Sequence, residues 1–184
     1  MRRLHTERLR LEPVTGENAS ALWTLLQQPD LRTYQDLPDM DEAQFQRTVA
    51  SRPQTLEPGA WGRFEWMINF EGAPVNPVGW ISLRIGERST NAGEVGYSVV
   101  RDFRGRGIAT ESVRAILDEG FSGAELRRVR AYCVPENAAS RRVLEHVGFE
   151  DDGILPHGAT VRGRAVDVMA FVLERAQWEQ LRAS

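Results

Sequence analysis

The middle of the chain alternates between strand-like and helix-like patterns, and this alternation constrains the fold more than any other feature. Residues 94–100 (EVGYSVV) have the pattern of a strand, and residues 107–121 have that of a helix. Residues 127–135 (RRVRAYCVP) are β-branched and aromatic and end at a proline, so they predict a second strand. A strand–helix–strand unit of this kind joins two parallel strands through a right-handed crossover.

A second helix is predicted directly after this unit, at residues 137–149 (NAASRRVLEHVGF). Asn137 is its predicted N-cap, because a short polar side chain can accept from the first free backbone N–H groups. Gly148 is its predicted stop, because glycine adopts the left-handed conformation that ends many helices. The buried face is predicted to contain Val143, Leu144 and Val147.

The segments on either side predict strands that pair in antiparallel fashion. The predicted strands are 8–14, 63–70, 77–86, 150–155 and 165–173, and further helices are predicted at 17–28, at 41–52 and at the end of the chain. The strands at 63–70 and 77–86 predict a hairpin, because a turn cluster separates them. The fold class is therefore α+β, with a mixed sheet flanked by helices in a single domain of residues 1–184.

Composition argues against several classes of function. The net charge is −3 and the pI about 5.7, which argues against a nucleic-acid-binding protein. The single cysteine, Cys133, permits no intrachain disulfide and favours a reducing compartment, so a cytoplasmic protein is expected. No apolar run approaches the length of a membrane span, and no His/Cys cluster has metal-binding spacing, so neither a membrane partner nor a metal is predicted.

Residues 101–109 (RDFRGRGIA) place two glycines and three arginines between a predicted strand and a predicted helix. A helix N-terminus favours an anion because its N–H groups are free and its dipole is positive. Gly105 and Gly107 allow the backbone to approach that anion closely. The segment therefore predicts a phosphate-binding site, and the alternative is a glycine-softened turn with solvated arginines. A nucleic-acid-binding patch of arginines is a weaker hypothesis.

Two familiar phosphate-binding motifs are excluded. The Walker pattern requires a Gly-Lys-Ser/Thr ending, which this segment lacks. The dinucleotide-binding fingerprint requires a third glycine at position 110, which is threonine here, and an acidic residue about twenty positions further on. The phosphate ligand is therefore of another kind.

Two motifs in this order resemble the GNAT superfamily of acyl-CoA N-acyltransferases. Residues 104–109 (RGRGIA) are similar to its Arg/Gln-x-x-Gly-x-Gly/Ala signature, and residues 134–149 are similar to its asparagine-containing helix that ends in Gly-Phe. The opening TERLRLEPV and the segment GEVGYSVV also resemble the branch that contains the ribosomal-protein N-terminal acetyltransferases. The resemblance extends over about residues 6 to 173.

The resemblance implies a centrally splayed sheet that receives acetyl-CoA between the strands at 94–100 and 127–134. It implies that pantetheine pairs with the backbone of Ser98, Val99 and Val100 and contacts Asn137. The pyrophosphate is expected on the amides of the signature segment, which consists of Arg104, Gly105, Arg106, Gly107, Ile108 and Ala109. No metal is implied.

The resemblance also implies catalytic roles. An attacking amine must lose a proton, and Glu94 is the predicted base because it begins the strand that leads to the cofactor site. A backbone N–H near Val99 is expected to polarise the thioester oxygen. Many relatives protonate the leaving thiolate with a tyrosine seven positions after the helix asparagine, but this chain has Leu144 there. Ser140 matches a serine of the ribosomal-protein branch and is the predicted donor.

The predicted function is acetyl transfer from acetyl-CoA to a primary amine by direct attack in a ternary complex. The acceptor is a protein N-terminal amine or a small-molecule amine, and the residues that select it are expected in regions 29–62 and 156–164. The alternative is a non-catalytic module that senses acyl-CoA or binds a partner, since the usual tyrosine is missing. A monomer and a homodimer both fit the sequence.

Overall fold

The chain folds as a mixed sheet with helices on both of its faces. The computed structural model describes residues 1–34, 36, 39–86 and 91–183. Within these ranges the strands are β1 (Leu4–His5), β2 (Leu9–Pro13), β3 (Gly62–Phe70), β4 (Gly79–Ile85), β5 (Ala92–Val99), β6 (Arg128–Cys133), β7 (Glu150–Val161) and β8 (Arg164–Glu174). The helices are α1 (Ala19–Leu26), α2 (Glu42–Ala50), α3 (Ile108–Asp118), α4 (Ala138–Val147) and α5 (Arg175–Ala183). No helix in the described ranges is both long enough and apolar enough to cross a membrane.

The strand order is β1-β2-β3-β4-β5-β6-β8-β7. Neighbouring strands are antiparallel except for β5 and β6, which are parallel and joined through α3 as predicted. A parallel pair needs a crossover connection, and α3 supplies it. The predicted hairpin of β3 and β4 is also confirmed.

The two faces of the sheet bury separate apolar clusters. On one face, α3, α4 and α5 contribute to the cluster that contains Phe64, Trp66 and Ile68 of β3. On the opposite face, α1 and α2 pack with Met67 of β3 and Trp80 of β4. The alternation of apolar residues in β3 predicted burial of the first face only. Because the strand is buried on both sides, the sheet requires a helical layer on each.

β5 and β6 pair over three residues and then separate. Their parallel ladder joins residues 92–94 to residues 128–130. Further along, residues 95–99 remain paired with β4 on one side, and residues 131–133 remain paired with β8 on the other. A wedge-shaped opening therefore lies in the middle of the sheet. The predicted α+β fold with a centrally splayed sheet is confirmed.

The elements that differ from prediction have local causes. β1 was not predicted, because two residues are too few to show a period. β7 continues to Val161, beyond the predicted end at 155, because register shifts accommodate residues whose type suggests a loop, such as Pro156. The helix predicted at 107–121 changes to a π turn over Glu119–Gly123. Part of the turn predicted at 89–93 lies outside the described residues.

Candidate active site

A cleft of about 1290 Å³ opens where β5 and β6 separate. Its walls are β5, β6, the start of α3 and the first turns of α4. Of the predicted site residues, the cleft is lined by Ser98, Val99, Arg104, Gly105, Gly107, Ile108, Ala109, Asn137 and Ser140. Three others, Glu94, Val100 and Arg106, are not part of its lining. The structure thus brings together residues from two separate motifs.

The backbone of β5 alternates in direction along the edge of the opening. Val100 N donates to Val78 O at 2.9 Å, so the N–H of Val100 points toward β4. The N–H and C=O groups of successive residues in a strand point to alternate sides. The backbone groups of Ser98 therefore also point toward β4, whereas those of Tyr97 and Val99 point toward the opening. Of the three residues predicted to pair with pantetheine, Val99 is therefore the one whose N–H is directed at the cleft.

The loop between β5 and α3 turns through two left-handed glycines. Gly105 has a φ of 73° and Gly107 has a φ of 77°, conformations that other residues adopt only with strain. Gly107 is the N-cap of α3 and supplies no side-chain cap. The N–H of Glu111 donates to the carbonyl of Gly107 at 3.0 Å, so the N–H groups of the preceding first turn have no helical partner. This arrangement is a ready-made anion site.

Arg104 holds this loop in place. Its Nε donates to the carbonyl of Val99 at 2.8 Å, and its Nη2 donates to the carbonyl of Asp30 at 3.0 Å. The carboxylate of Asp30, in a short 3-10 turn after α1, also accepts from the N–H of Arg101 at 2.7 Å. Arg104 therefore connects the loop to β5 and to the segment after α1.

A second arginine fixes the other end of the loop. Arg8 Nη1 donates to the carbonyl of Arg106 at 3.1 Å, and its guanidinium forms two bonds, of 2.6 and 2.8 Å, to Glu111. Burial raises the pKa of Glu111, but hydrogen bonds from Thr6 and Arg8 outweigh it and hold that pKa below its usual value. The side chain of Arg106 lies over the ring of Phe103, 5.6 Å from its centroid. Arg8 thus neutralises the one acidic side chain in the first turn of α3.

The first turn of α4 carries the second motif. Asn137 is the N-cap, as predicted, and its Oδ1 accepts from the N–H of Ser140 at 3.1 Å. The Nδ2 of Asn137 makes no hydrogen bond to another described residue, so it is available to a ligand in the cleft. Gly148 ends the helix in the left-handed conformation with a φ of 109°, also as predicted.

Ser140 meets Tyr97 across the cleft. The hydroxyl of Tyr97 lies 3.0 Å from Ser140 Oγ and 3.2 Å from the carbonyl of Ser140. Burial raises the pKa of Tyr97 well above its usual value, and the hydrogen bond to Ser140 opposes this effect only in part. Leu144, at the position where many GNAT relatives have tyrosine, is fully buried.

Glu94 lies at the narrow end of the opening. Its carboxylate accepts from Arg84 Nη2 at 2.5 Å, and its side chain is 36% exposed. Because side chains alternate along a strand, it shares a face of β5 with Gly96 and Ser98, and this is the face covered by α1 and α2. Ser140, on α4, lies on the other face. The two predicted catalytic residues therefore approach the sheet from opposite sides.

The sequence profile of the GNAT acetyltransferase domain matches residues 8–150. The chain belongs to the GNAT acetyltransferase family. The matched region contains the splayed strands, the glycine loop and the whole of α4, so the family match and the cleft coincide. The family predicted from the two motifs is confirmed.

Individual relatives agree with this assignment. An uncharacterized N-acetyltransferase, p20, of Bacillus licheniformis is 27% identical over 97% of this chain and 99% of its own length. The fold is similar to that of RimJ from Mycobacterium smegmatis, solved in complex with CoA-disulfide, with a TM-score of 0.72, 24% identity and coverage of 95% and 88% of the two chains. It is also similar to RimL, a ribosomal L7/L12 α-N-protein acetyltransferase solved in complex with coenzyme A, with a TM-score of 0.79, 20% identity and coverage of 94% and 98%.

The lining of this GNAT cleft also includes apolar and aromatic side chains: Leu31, Tyr34, Trp80, Tyr132, Ala159 and Val168. Asp36 bonds to the β7–β8 turn, because its carboxylate accepts from the N–H of Arg162 at 2.6 Å and of Gly163 at 3.0 Å. The segment after α1 is thereby attached to the β7–β8 hairpin. These elements belong to the two regions predicted to select the acceptor, of which residues 35, 37 and 38 lie outside the described part.

Two residues of the cleft were not predicted to have these roles. Tyr97 belongs to neither of the two motifs, and aromatic residues in strands usually pack inside, so its strand pattern gives no sign of a contact with Ser140. Asp30 gave no signal, because its partners are about seventy positions away along the chain. A helix serine opposite a strand tyrosine has no sequence signature without the register of the fold.

Proposed function

We propose that the chain transfers the acetyl group of acetyl-CoA to a primary amine by direct attack in a ternary complex. The observation that carries this proposal is the opening beside β5, where the unpaired N–H of Val99 lies next to the uncapped first turn of α3. These are the two kinds of backbone donor that a thioester and a pyrophosphate require. The family assignment supports the same cofactor.

Binding of acetyl-CoA would use both motifs. The pyrophosphate would lie against the amides of residues 104–109, which the two left-handed glycines turn toward the cleft. The pantetheine would extend along β5 so that the thioester at its end reaches the N–H of Val99, and the free Nδ2 of Asn137 would be a side-chain donor to it. Asn137 would then have two tasks at once, since its Oδ1 caps α4.

The chemistry needs few groups. The N–H of Val99 would polarise the thioester oxygen, and Ser140 would donate to the departing sulfur. Glu94, on the face covered by α1 and α2, would accept the amine proton through water, because it lies at the narrow end of the opening rather than in the cleft lining. Its ion pair with Arg84 would keep the carboxylate in one place.

The acceptor would be the α-amine of a protein N-terminus or a small-molecule amine. RimL acts on an α-amine of a ribosomal protein, and its fold is similar to this one. The cleft lining includes apolar and aromatic side chains, and the bonds of Asp36 attach the β7–β8 hairpin to the segment after α1. An acceptor site formed between these two regions would favour an extended chain end or a small amine over a side chain on a folded surface.

The test is turnover of acetyl-CoA with a library of N-terminal peptides and small amines, followed by free-thiol release and mass spectrometry. We expect at least one amine to gain an acetyl group. Glu94→Gln and Ser140→Ala should reduce this turnover while acetyl-CoA still binds in calorimetry. Failure to bind acetyl-CoA would contradict the whole proposal.

A non-catalytic acyl-CoA sensor is the second candidate. The observation that favours it is the buried Leu144 at the position of the usual tyrosine. A sensor would bind acetyl-CoA with no turnover on any amine, and the two substitutions above would then change nothing measurable. Turnover with any amine that falls in Ser140→Ala decides for the enzyme.

A further inference from the structure

Ser140 by itself is a weak partner for a leaving thiolate. A serine hydroxyl near the start of a helix can rotate and bond to a nearby backbone carbonyl instead. In this structure the hydroxyl of Ser140 contacts the hydroxyl of Tyr97, at 3.0 Å. Tyr97 also lines the cleft, and its ring comes from β5, the strand that would accompany the pantetheine.

The contact between the two hydroxyls has two hydrogen arrangements. In one, Tyr97 donates to the carbonyl of Ser140 at 3.2 Å, and Ser140 donates to the phenol oxygen. In the other, Tyr97 donates to Ser140 Oγ, and the hydrogen of Ser140 is released toward the cleft. A negative charge in the cleft favours the second arrangement, because it places two donors in series toward that charge.

We propose that Tyr97 is a positioning residue for the leaving group, which directs the hydroxyl hydrogen of Ser140 to the sulfur of CoA. This inference rests on the proposed function. It assigns to a strand tyrosine part of the task that a helix tyrosine performs in many relatives. Tyr97 acts through Ser140 and does not itself touch the reacting atoms.

The step balances without proton transfer from either hydroxyl. The amine nitrogen forms a bond to the carbonyl carbon, the carbon–sulfur bond breaks, and the sulfur keeps the electron pair. The amine proton goes to the base or to water. CoA leaves as a thiolate that two hydroxyls in series stabilise, and it takes a proton from solvent after release.

Full protonation by Tyr97 would be unfavourable. A thiol has an ordinary pKa of about 8.5 and a phenol one of about 10. Burial raises the pKa of Tyr97 further, so this phenol stays protonated while the thiolate forms. A group that keeps its proton can still donate a strong hydrogen bond toward a charge.

The direct test is the pKa of the CoA thiol when it is bound. Thiolate absorbance is titrated in the CoA complex and corrected with the desulfo-CoA complex, which cancels the signals of Cys133 and the tyrosines. We expect the bound thiol to have a lower pKa than free CoA. In Tyr97→Phe it should rise by roughly half a unit or more, because a hydrogen bond to a charged group is lost in part.

Tyr132→Phe is the matched control. It removes a hydroxyl from the same cleft, and that hydroxyl makes no hydrogen bond to Ser140. We expect the pKa of the bound thiol in Tyr132→Phe to equal that of the unmodified protein. An equal pKa in Tyr97→Phe and the unmodified protein would overturn the proposal, as would an equal rise in both variants.

Kinetics give a second, independent readout. Once an amine acceptor is known, Tyr97→Phe should lower kcat about tenfold and leave the KM for acetyl-CoA unchanged, since its role is confined to the departing sulfur. The double variant Tyr97→Phe/Ser140→Ala should be no slower than Ser140→Ala alone, because both changes act through one hydroxyl.

Additive losses in the double variant would overturn the proposed series of donors. The thiol titration needs no acceptor, so its result is separable from the fate of the proposed function. If CoA does not bind at all, the proposed function fails. If CoA binds and amines are acetylated, but the bound thiol has the same pKa in Tyr97→Phe as in the unmodified protein, only this inference fails.

Discussion

Two protonatable side chains in the cleft, Tyr97 and Cys133, have raised pKa values. Burial raises the pKa of Tyr97 and, to a smaller degree, that of Cys133. Both groups are therefore held in their neutral forms beside the expected path of the pantetheine. Their titration reports on the cleft without knowledge of the acceptor.

Tyr97 should make the fold sensitive to alkali. Its folded pKa lies above its unfolded value of about 10, so its contribution to stability is complete below pH 10 and is lost as the pH rises toward the folded value. The free energy of unfolding should fall more steeply between pH 9 and about 11 than in Tyr97→Phe. Denaturant unfolding at a series of pH values measures the difference. Parallel curves would show that the phenol is not buried as described.

Cys133 should react slowly with alkylating agents. The thiolate is the reactive form, and burial raises the pKa of this thiol, so at neutral pH little of it is available. Since Cys133 also lines the cleft, bound CoA should slow alkylation further. Mass spectrometry after iodoacetamide treatment, with and without CoA, checks both points. Rapid alkylation of Cys133 that CoA does not slow would indicate that CoA binds outside this cleft.

At the scale of elements, the glycine loop before α3 has a matched control within the chain. Gly105 and Gly72 have φ values of 73° and 71°, and a Cβ would meet no atom within 4 Å at either position. Alanine should therefore cost a similar amount of stability at both, about 1 to 2 kcal/mol for a left-handed residue. Only Gly105→Ala should also weaken CoA binding, because Gly105 lies in the loop that forms the anion site. Calorimetry and denaturant unfolding separate the two effects.

The splayed strands predict a pattern of amide exchange. The N–H groups of Tyr97 and Val99 face the opening, whereas that of Ser98 faces β4. Tyr97 and Val99 should therefore exchange faster than Ser98 in the free protein and should slow when CoA is added. Exchange measured residue by residue by NMR checks this order. Slow exchange at both positions without a ligand would mean that the opening is closed in solution.

Local pattern was sufficient for the elements whose determinants lie within a few residues of one another. The caps of α4, Asn137 and Gly148, follow from residue type alone. The strand period likewise puts Glu94 on the same face of β5 as Gly96 and Ser98. Contacts between distant segments were not predictable. Ser140 is 43 positions from Tyr97, and nothing in either local pattern refers to the other.

The signature arginines show the same limit. Arg104 matched a motif, and charge suggested a phosphate contact, but its guanidinium is occupied by Val99 and Asp30. The sequence shows that position 104 is basic, but the fold determines which acceptors lie within hydrogen-bonding distance of its guanidinium. The amides of the loop could be predicted to face an anion because a helix N-terminus does so by geometry.

At the scale of the whole molecule, Asp36 connects two regions that are far apart in sequence. Its bonds to Arg162 and Gly163 hold the β7–β8 hairpin against the segment after α1. On the proposed role of these two regions in acceptor selection, Asp36→Ala should release the hairpin and shift preference toward bulkier amines, by roughly threefold in relative kcat/KM. CoA affinity should not change. Asp39→Ala, a nearby exposed acidic residue, is the control, and equal preferences in both variants would contradict the bridge.

The three-residue ladder between β5 and β6 has a consequence beyond catalysis. The sheet consists of a β1–β5 half and a β6–β8 half. In the described part of the chain these halves are joined by the short ladder of residues 92–94 with 128–130 and by the adjoining bond from the N–H of Arg127 to the carbonyl of Asn91. A ligand lying between the halves acts as a missing strand, and at a hundred times its Kd it adds about 2.7 kcal/mol to the folded state. The lifetime of this protein against cellular proteases would then rise and fall with the supply of its own substrate.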